Sequence, residues 1–97
     1  MIGRDELTKK AALIAGATQE LLFLTEPYYD AAIIGLTDTA PVRVIYNADA
    51  IIRTLVSSGD FEDEEEAYDY YGFNIEGAYM GEHTPVFVSV MHSWTAA

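Results

Sequence analysis

Three short apolar runs, separated by turn residues, set the limits of the fold. They are Ala31–Leu36, Val42–Tyr46 (interrupted only by Arg43) and Val86–Val90. Runs of four to eight apolar, β-branched and aromatic residues are typical of strands. The five residues at 37–41, Thr-Asp-Thr-Ala-Pro, supply turn chemistry of a length that joins two strands into a hairpin. The sequence therefore predicts a small sheet of three strands, antiparallel or mixed.

Helical spacing dominates the N-terminal part of the chain. Apolar residues recur there at intervals of three to four, which predicts a helix over residues 5–25 with Leu13, Ala17, Leu21 and Leu24 on its buried face. Glu26-Pro27 would end this helix, because the residue before a proline avoids the helical region. Gly16 weakens its middle by about 1 kcal/mol relative to alanine, which makes that position the place for a break.

Two shorter helices are predicted between the second and third strands. Asn47 is a suitable N-cap for a helix over 48–58, and Gly59 suits a left-handed stop. The buried stripe of that helix would be Ile51, Ile52, Leu55 and Val56. A further helix is predicted over 62–71 with Asp60 as its cap. Its inward-facing residues would be Ala67, Tyr70 and Tyr71, with Phe73 and Ile75 just beyond.

The predicted order of elements is α-β-β-α-α-β, an α+β fold in which helices cover a three-stranded sheet. The chain has 97 residues, 51% hydrophobic and 22% charged, as in one globular domain. We expect a single domain, 1–97, with an N-terminal helix in 1–27, an α+β core in 28–90 and a tail in 91–97. Without cysteine, neither disulfides nor thiolate zinc sites can form. No stretch is typical of a signal peptide or a membrane span, so we expect a cytoplasmic protein.

Negative charge is concentrated in the C-terminal part of the chain. The net charge is −11; residues 1–53 hold seven acids and all five basic residues, and residues 54–97 hold nine acids and no Lys or Arg. Such a chain repels nucleic acid and anionic membranes, which argues against direct binding to either. On the predicted third helix, one face would carry Glu62, Glu65, Glu66 and Asp69.

Two interpretations of this acidic face remain open. Neighbours on it would have Cβ atoms about 5–6 Å apart, comparable with the phosphates of a nucleic-acid strand, so the face could occupy a groove that normally receives DNA or RNA. Alternatively, the acids only favour the helix N-terminus and keep the protein in solution. Five consecutive acids at 62–66 exceed what capping needs and repel one another. This excess favours the first interpretation, in which the acids occupy a groove that normally receives nucleic acid.

Seven tyrosines are more than a domain of this size needs for packing. Tyrosine anchors interfaces well because it combines a large apolar area with a hydrogen-bonding tip. We expect Tyr70 and Tyr71 to belong to the core, and we take Tyr28, Tyr29 and Tyr68 as candidate anchors beside the acidic face.

The turn-rich segment Asn74–Pro85 supplies further candidates, namely Asn74, Tyr79, Glu82 and His83. As neighbours on an extended chain, Glu82 and His83 would point to opposite faces and could hardly share a proton, so we expect no enzyme. His83 and His92 lie nine residues apart, which matches no zinc-ligand spacing. We therefore expect no metal and no other cofactor.

One stretch resembles a family. The segment from Glu65 to Phe87 contains an acidic helix with Glu-Ala, followed by Phe-Asn-Ile-Glu-Gly-Ala-Tyr-Met-Gly-Glu-His-Thr-Pro. This pattern resembles small uncharacterised proteins of phage and prophage genomes, over about Asp30 to Val88. The resemblance implies a phage setting and assigns no chemistry, and the N-terminal helix lies outside it.

Together these features predict a small acidic phage-encoded protein that inhibits a host nucleic-acid-handling protein, of the anti-CRISPR or another anti-defence type. The partner would present a basic surface, which the acidic helix occludes. One alternative is a self-associating module, in which the first helix or the edge strand Val86–Val90 pairs with a second copy. A small enzyme or nucleotide-binding protein is another alternative, supported only by the glycine-containing loop.

Overall fold

A three-stranded mixed sheet and three α-helices make up the fold, which confirms the predicted α+β class and the order of these elements. The computed structural model describes residues 3–78 and 81–90. The helices are α1 (Arg4–Ala15), α2 (Ala48–Ser57) and α3 (Glu64–Tyr71), and the strands are β1 (Ile33–Leu36), β2 (Val44–Asn47) and β3 (Val86–Val88). A 3₁₀ helix, Pro27–Ala32, precedes β1, and a π-helical turn, Gly72–Glu76, follows α3. The predicted tail, 91–97, lies outside the described residues.

The strands lie in the order β1-β2-β3, and β2 is the centre of the sheet. β1 pairs antiparallel with β2, with Ile33 opposite Tyr46, and a bulge interrupts the ladder between Ile33 and Gly35. β3 pairs parallel with β2, with Phe87 opposite Tyr46. Parallel neighbours need a long crossover, and the chain between β2 and β3, which contains α2 and α3, supplies it. All three strands are shorter than the apolar runs that predict them.

The second helix forms for the reasons read from the sequence. The Asn47 side chain accepts hydrogen bonds from the backbone N–H groups of Asp49 (3.0 Å) and Ala50 (3.3 Å), and therefore caps α2. Gly59, just beyond the helix, has φ +83°, the left-handed conformation that glycine adopts without strain. The buried residues of α2 include most of the predicted stripe, namely Ile51, Ile52 and Leu55, whereas Val56 is exposed.

The predicted helix over 5–25 is wrong beyond residue 15. α1 ends at Ala15, and Gly16 takes the left-handed conformation with φ +76°. From residue 17 to 24 the chain has no regular secondary structure. Leu13, predicted to be buried, is 79% exposed, whereas α1 buries Leu7 and Ala11 instead. Leu21, Phe23 and Leu24 therefore reach the core from an irregular segment, to which helical spacing does not apply.

The third helix begins two residues later than predicted. Asp63, and not Asp60, is its N-cap and accepts a 2.9 Å hydrogen bond from the backbone N–H of Glu66. Ala67 and Tyr71 are buried as predicted, but Tyr70 is 41% exposed. Phe73, on the π-helical turn, is 86% exposed although it was expected near the core.

Tyr46 connects the sheet to the irregular segment after α1. Its side chain is fully buried, its ring stacks on Phe87 with centroids 5.7 Å apart, and its hydroxyl oxygen accepts a 2.9 Å hydrogen bond from the backbone N–H of Leu24. Arg4 holds the same segment from the other side, because its guanidinium donates to the Leu24 carbonyl and forms a paired contact at 2.8 Å with both carboxylate oxygens of Asp30. Two side chains thus satisfy the backbone of Leu24, which neither a helix nor a sheet satisfies.

Replacing Tyr46 by phenylalanine tests this connection. The Tyr46→Phe variant keeps the stacked ring and leaves the buried N–H of Leu24 without an acceptor, so we expect a loss of about 1–3 kcal/mol in the free energy of unfolding. Urea denaturation followed by circular dichroism measures it. The matched variant Tyr70→Phe removes a partly exposed hydroxyl and should change stability by less than about 0.5 kcal/mol. Equal stability of both variants would contradict the role given to Tyr46.

Candidate protein-binding surface

The outer face of α3 carries three exposed carboxylates. Ala67 and Tyr71 turn the opposite side of the helix into the core, so Glu65, Glu66 and Asp69 point away from it. Glu65 and Glu66 precede Asp69 by four and three residues, the spacing of neighbours on a helix surface. Glu62, predicted to share this face, lies two residues before α3 and is not part of it. We call Glu65, Glu66 and Asp69 the acidic face.

No cation of the chain is paired with the acidic face. Across residues 3–78 and 81–90, the one ion pair joins Arg4 and Asp30, and no Lys or Arg follows Arg53 in the sequence. Glu65 and Glu66 lie in the first turn of α3, where the dipole favours negative charge, whereas Asp69 lies in the last turn, where the dipole opposes it. Mutual repulsion at spacings of three and four residues also opposes the charge of all three. The acidic face therefore keeps its negative charge uncompensated by the protein itself.

Tyr68 flanks the acidic face on the side of α2. Its side chain is 40% exposed, its hydroxyl donates to Asp49 Oδ1 at 3.3 Å, and the other oxygen of Asp49 accepts from the backbone N–H of Val90 at 3.3 Å. Partial burial and the neighbouring Asp49 carboxylate raise the pKa of the Tyr68 phenol. Asp49 thus joins α2, α3 and the chain after β3, and Tyr68 is part of that link as well as of the surface.

Tyr28 and Tyr29, predicted as a pair of anchors, occupy different environments. Tyr28 is 60% exposed, whereas Tyr29 is only 5% exposed, and their rings lie 4.6 Å apart. The 3₁₀ helix places consecutive side chains about 120° apart, which lets one reach the core while the next reaches the surface. Burial, and then the hydrogen bond with Tyr28, raises the pKa of the Tyr29 phenol. Tyr29 supports the surface from below and is not itself an exposed anchor.

Aromatic rings line a groove on the other flank of α3. Successive residues of an α-helix are 100° apart, so Tyr70 lies on nearly the opposite side from Tyr68. There its ring packs against Phe61 with centroids 5.2 Å apart. Tyr28, Tyr29 and Tyr70 line two adjoining depressions, of about 820 and 320 Å³. We call the groove formed by Tyr28, Tyr29, Phe61 and Tyr70 the aromatic groove.

Sequence reasoning missed the aromatic groove. It assigned Tyr70 to the core and gave Phe61 no role. Helical spacing could not separate Tyr70 from Tyr71, because both lie within one turn of the buried Ala67, at three and four residues from it. The depressions bring Tyr28 and Tyr70 together from positions 42 residues apart, which no local pattern reveals.

The loop candidates are separated by the fold. Asn74 lies at the aromatic groove, where its side-chain amide donates to the carbonyl of Tyr70 at 3.1 Å. Glu82 and His83 line a different depression, of about 220 Å³, with Glu20 and Leu22. His83 Nδ1 donates to the Val42 carbonyl at 2.8 Å, because that oxygen can only accept. Tyr79 lies outside the described residues.

Over the described parts of the chain, no group of three or more His, Asp or Glu side chains is arranged to hold a metal ion. No helix among the same residues is long and apolar enough to cross a bilayer.

Comparisons with protein-family models, with curated proteins and with solved structures find no match to this chain.

Tyrosine ionisation gives a test of this packing. Burial raises the pKa of the phenols of Tyr29, Tyr46 and Tyr71 above the ordinary value of 10.0. The unfolded chain therefore loses these protons first as pH rises, so the stability contributed by the neutral phenols is complete below pH 10 and declines above it.

We expect the melting temperature to fall steadily above pH 10, and the tyrosinate absorbance of the folded protein to lag behind that of the protein in urea. Circular dichroism and absorbance at 295 nm, measured between pH 8 and 12, check both. Titration of all seven tyrosines together near pH 10, with the fold intact, would contradict the assignment.

Proposed function

We propose that this chain is a non-catalytic binding protein that covers a cationic surface of a protein which handles nucleic acid, and thereby blocks that surface. The observation that carries the proposal is the acidic face, three exposed carboxylates on one side of a short helix, to which no cation among the described residues is paired. A partner that binds phosphates presents lysine and arginine side chains at matching intervals. Such complementarity accelerates association and weakens in salt.

The setting in which the protein acts is part of the same proposal. We place this role inside a host cytoplasm during infection, which is the setting that the sequence pattern of residues 65–87 implies. A host defence factor that grips DNA or RNA, such as a CRISPR effector or a nuclease, has the basic surface that the acidic face would occlude. The proposal requires neither a cofactor nor a reaction.

A second candidate function is self-association at the edge of the sheet that β1 forms. β1 is an edge strand, Ile34 on it is 48% exposed, and Leu13 of α1 is 79% exposed. A depression of about 740 Å³ lies between α1 and β1, lined in part by Leu13, Leu36 and Lys10. An exposed edge beside apolar side chains is a site where a second copy could pair. Sedimentation at tens of micromolar distinguishes a dimer from a monomer.

Neutralising the acidic face tests the main proposal. In the variant E65Q/E66Q/D69N the charge is removed while the side-chain shapes are kept. We expect capture of a nucleic-acid-binding protein from bacterial lysate to fall about tenfold, because each lost ion pair is worth up to about 1 kcal/mol. Wild-type capture should fall similarly between 50 and 500 mM salt, and a DNA or RNA duplex should compete with this protein for the captured partner.

The matched control changes three exposed acids elsewhere, E6Q/E20Q/D38N, with the same gain in net charge. Capture by this control should remain within about twofold of wild type. An equal loss in both variants would mean that only total charge matters, and capture that neither salt nor the α3 variant alters would overturn the proposal.

A further inference from the structure

The aromatic groove continues from the acidic face, and this continuity links it to the proposed binding. Tyr70 follows Glu66 by four residues, so the two are neighbours on the surface of α3. The groove therefore begins where the acidic face ends. Its larger depression is about 820 Å³, within the range of sites that hold a small ligand or a few residues of a peptide.

The groove keeps its aromatic rings in place before any partner arrives. Tyr29 is buried beneath Tyr28, Phe61 is partly buried against the core, and the Asn74 amide holds the backbone at Tyr70. Side chains held in this way lose little conformational freedom on binding. Tyr28, at 60% exposed, and Tyr70, at 41%, nevertheless keep much of their surface open to solvent.

The charge in the walls of the groove selects the chemistry of its occupant. Asp60 lies in the wall of the larger depression and Glu26 in the wall of the smaller one, and neither wall contains Lys or Arg. Aromatic faces next to a carboxylate suit a flat cation, because the ring attracts positive charge and the carboxylate pairs with it. A guanidinium meets both needs, whereas an ammonium group cannot stack as a plane.

Within its described residues, the chain itself contains this combination of ring, carboxylate and guanidinium. Arg4 lies over the ring of Phe23, 4.5 Å from its centroid, while its guanidinium pairs with both oxygens of Asp30. In the aromatic groove the ring and the carboxylate are present and the arginine is missing from the walls.

We propose that the aromatic groove receives an arginine side chain from the partner's cationic segment, which stacks on Tyr70 or Tyr28 and pairs with Asp60 or Glu26. This rests on the proposed function, because the same partner would meet the acidic face. The groove then adds a preference for one kind of cation. The acidic face attracts any cationic surface, and the groove distinguishes arginine from lysine. The occupant is a segment of a protein, held by its side chain.

Two synthetic peptides serve as probes. They have ten residues and equal charge, with arginine in one replaced by lysine in the other, and they are titrated into the full chain by calorimetry and by ¹H–¹⁵N NMR. We expect the arginine peptide to bind about three- to fivefold more tightly, with the largest NMR shifts around residues 28, 61 and 70.

Variants separate the groove from the acidic face. Y28A/Y70A should abolish the preference for arginine, while Y70F, which keeps the ring, should retain it. F73A removes an exposed aromatic ring that lines neither depression of the groove, and it should leave the preference unchanged. E65Q/E66Q/D69N should weaken both peptides equally. Melting curves confirm that each variant is folded.

The outcomes distinguish the two proposals. Equal affinity for both peptides, or a preference that persists in Y28A/Y70A, overturns the role of the groove and leaves the acidic face in place. If neither peptide shows salt-sensitive binding, the result counts against the proposed function as well. A change from dimer to monomer in Y28A/Y70A would show that a second copy occupies the groove, and would also overturn the inference.

Discussion

The buried ring of Tyr46 is the contact on which the rest of the fold depends. It lies on the central strand, stacks on Phe87 of the neighbouring strand and accepts the backbone N–H of Leu24. Without that acceptor, the chain after α1 would carry an unsatisfied buried N–H into the core. Through Leu24 the sheet is also linked to Arg4. The pairing of Arg4 with Asp30 holds the 3₁₀ helix in place, and with it Tyr28 and Tyr29, which belong to that helix.

Local chemistry was sufficient to predict the elements whose ends are marked by one residue type. α2 begins at Asn47 and stops before Gly59 because each does something that few other residues can do. The N-terminal helix could not be predicted to its end. The apolar spacing continues past Gly16, but in the irregular segment that follows, Tyr46 and Arg4 form tertiary hydrogen bonds with the backbone of Leu24, and both are about 20 residues away in sequence.

The candidate surface was predictable in its charge and not in its shape. Several neighbouring acids can each cap a helix, so sequence alone could not choose between Asp60 and Asp63. The choice matters for the surface because α3, which begins after Asp63, leaves Glu62 outside the helix. The acids that remain on the helix were predicted, whereas the aromatic groove depends on Tyr28 and Tyr70 lining the same depressions from distant parts of the chain.

Burial on the inner side of α3, and not pairing with the arginines Arg4 and Arg43, lets a small domain tolerate the acidic face. Arg4 donates hydrogen bonds to Asp30, and Arg43 donates to the carbonyl of Thr84. These two arginines therefore stabilise the fold and neutralise nothing on α3. Repulsion among carboxylates at helical spacing costs a few tenths of a kcal/mol per pair. Burial of Ala67 and Tyr71 offsets that cost through the hydrophobic effect. The acidic face is therefore held in shape from beneath, and a partner that supplies the missing cations relieves the repulsion instead of having to order a flexible chain.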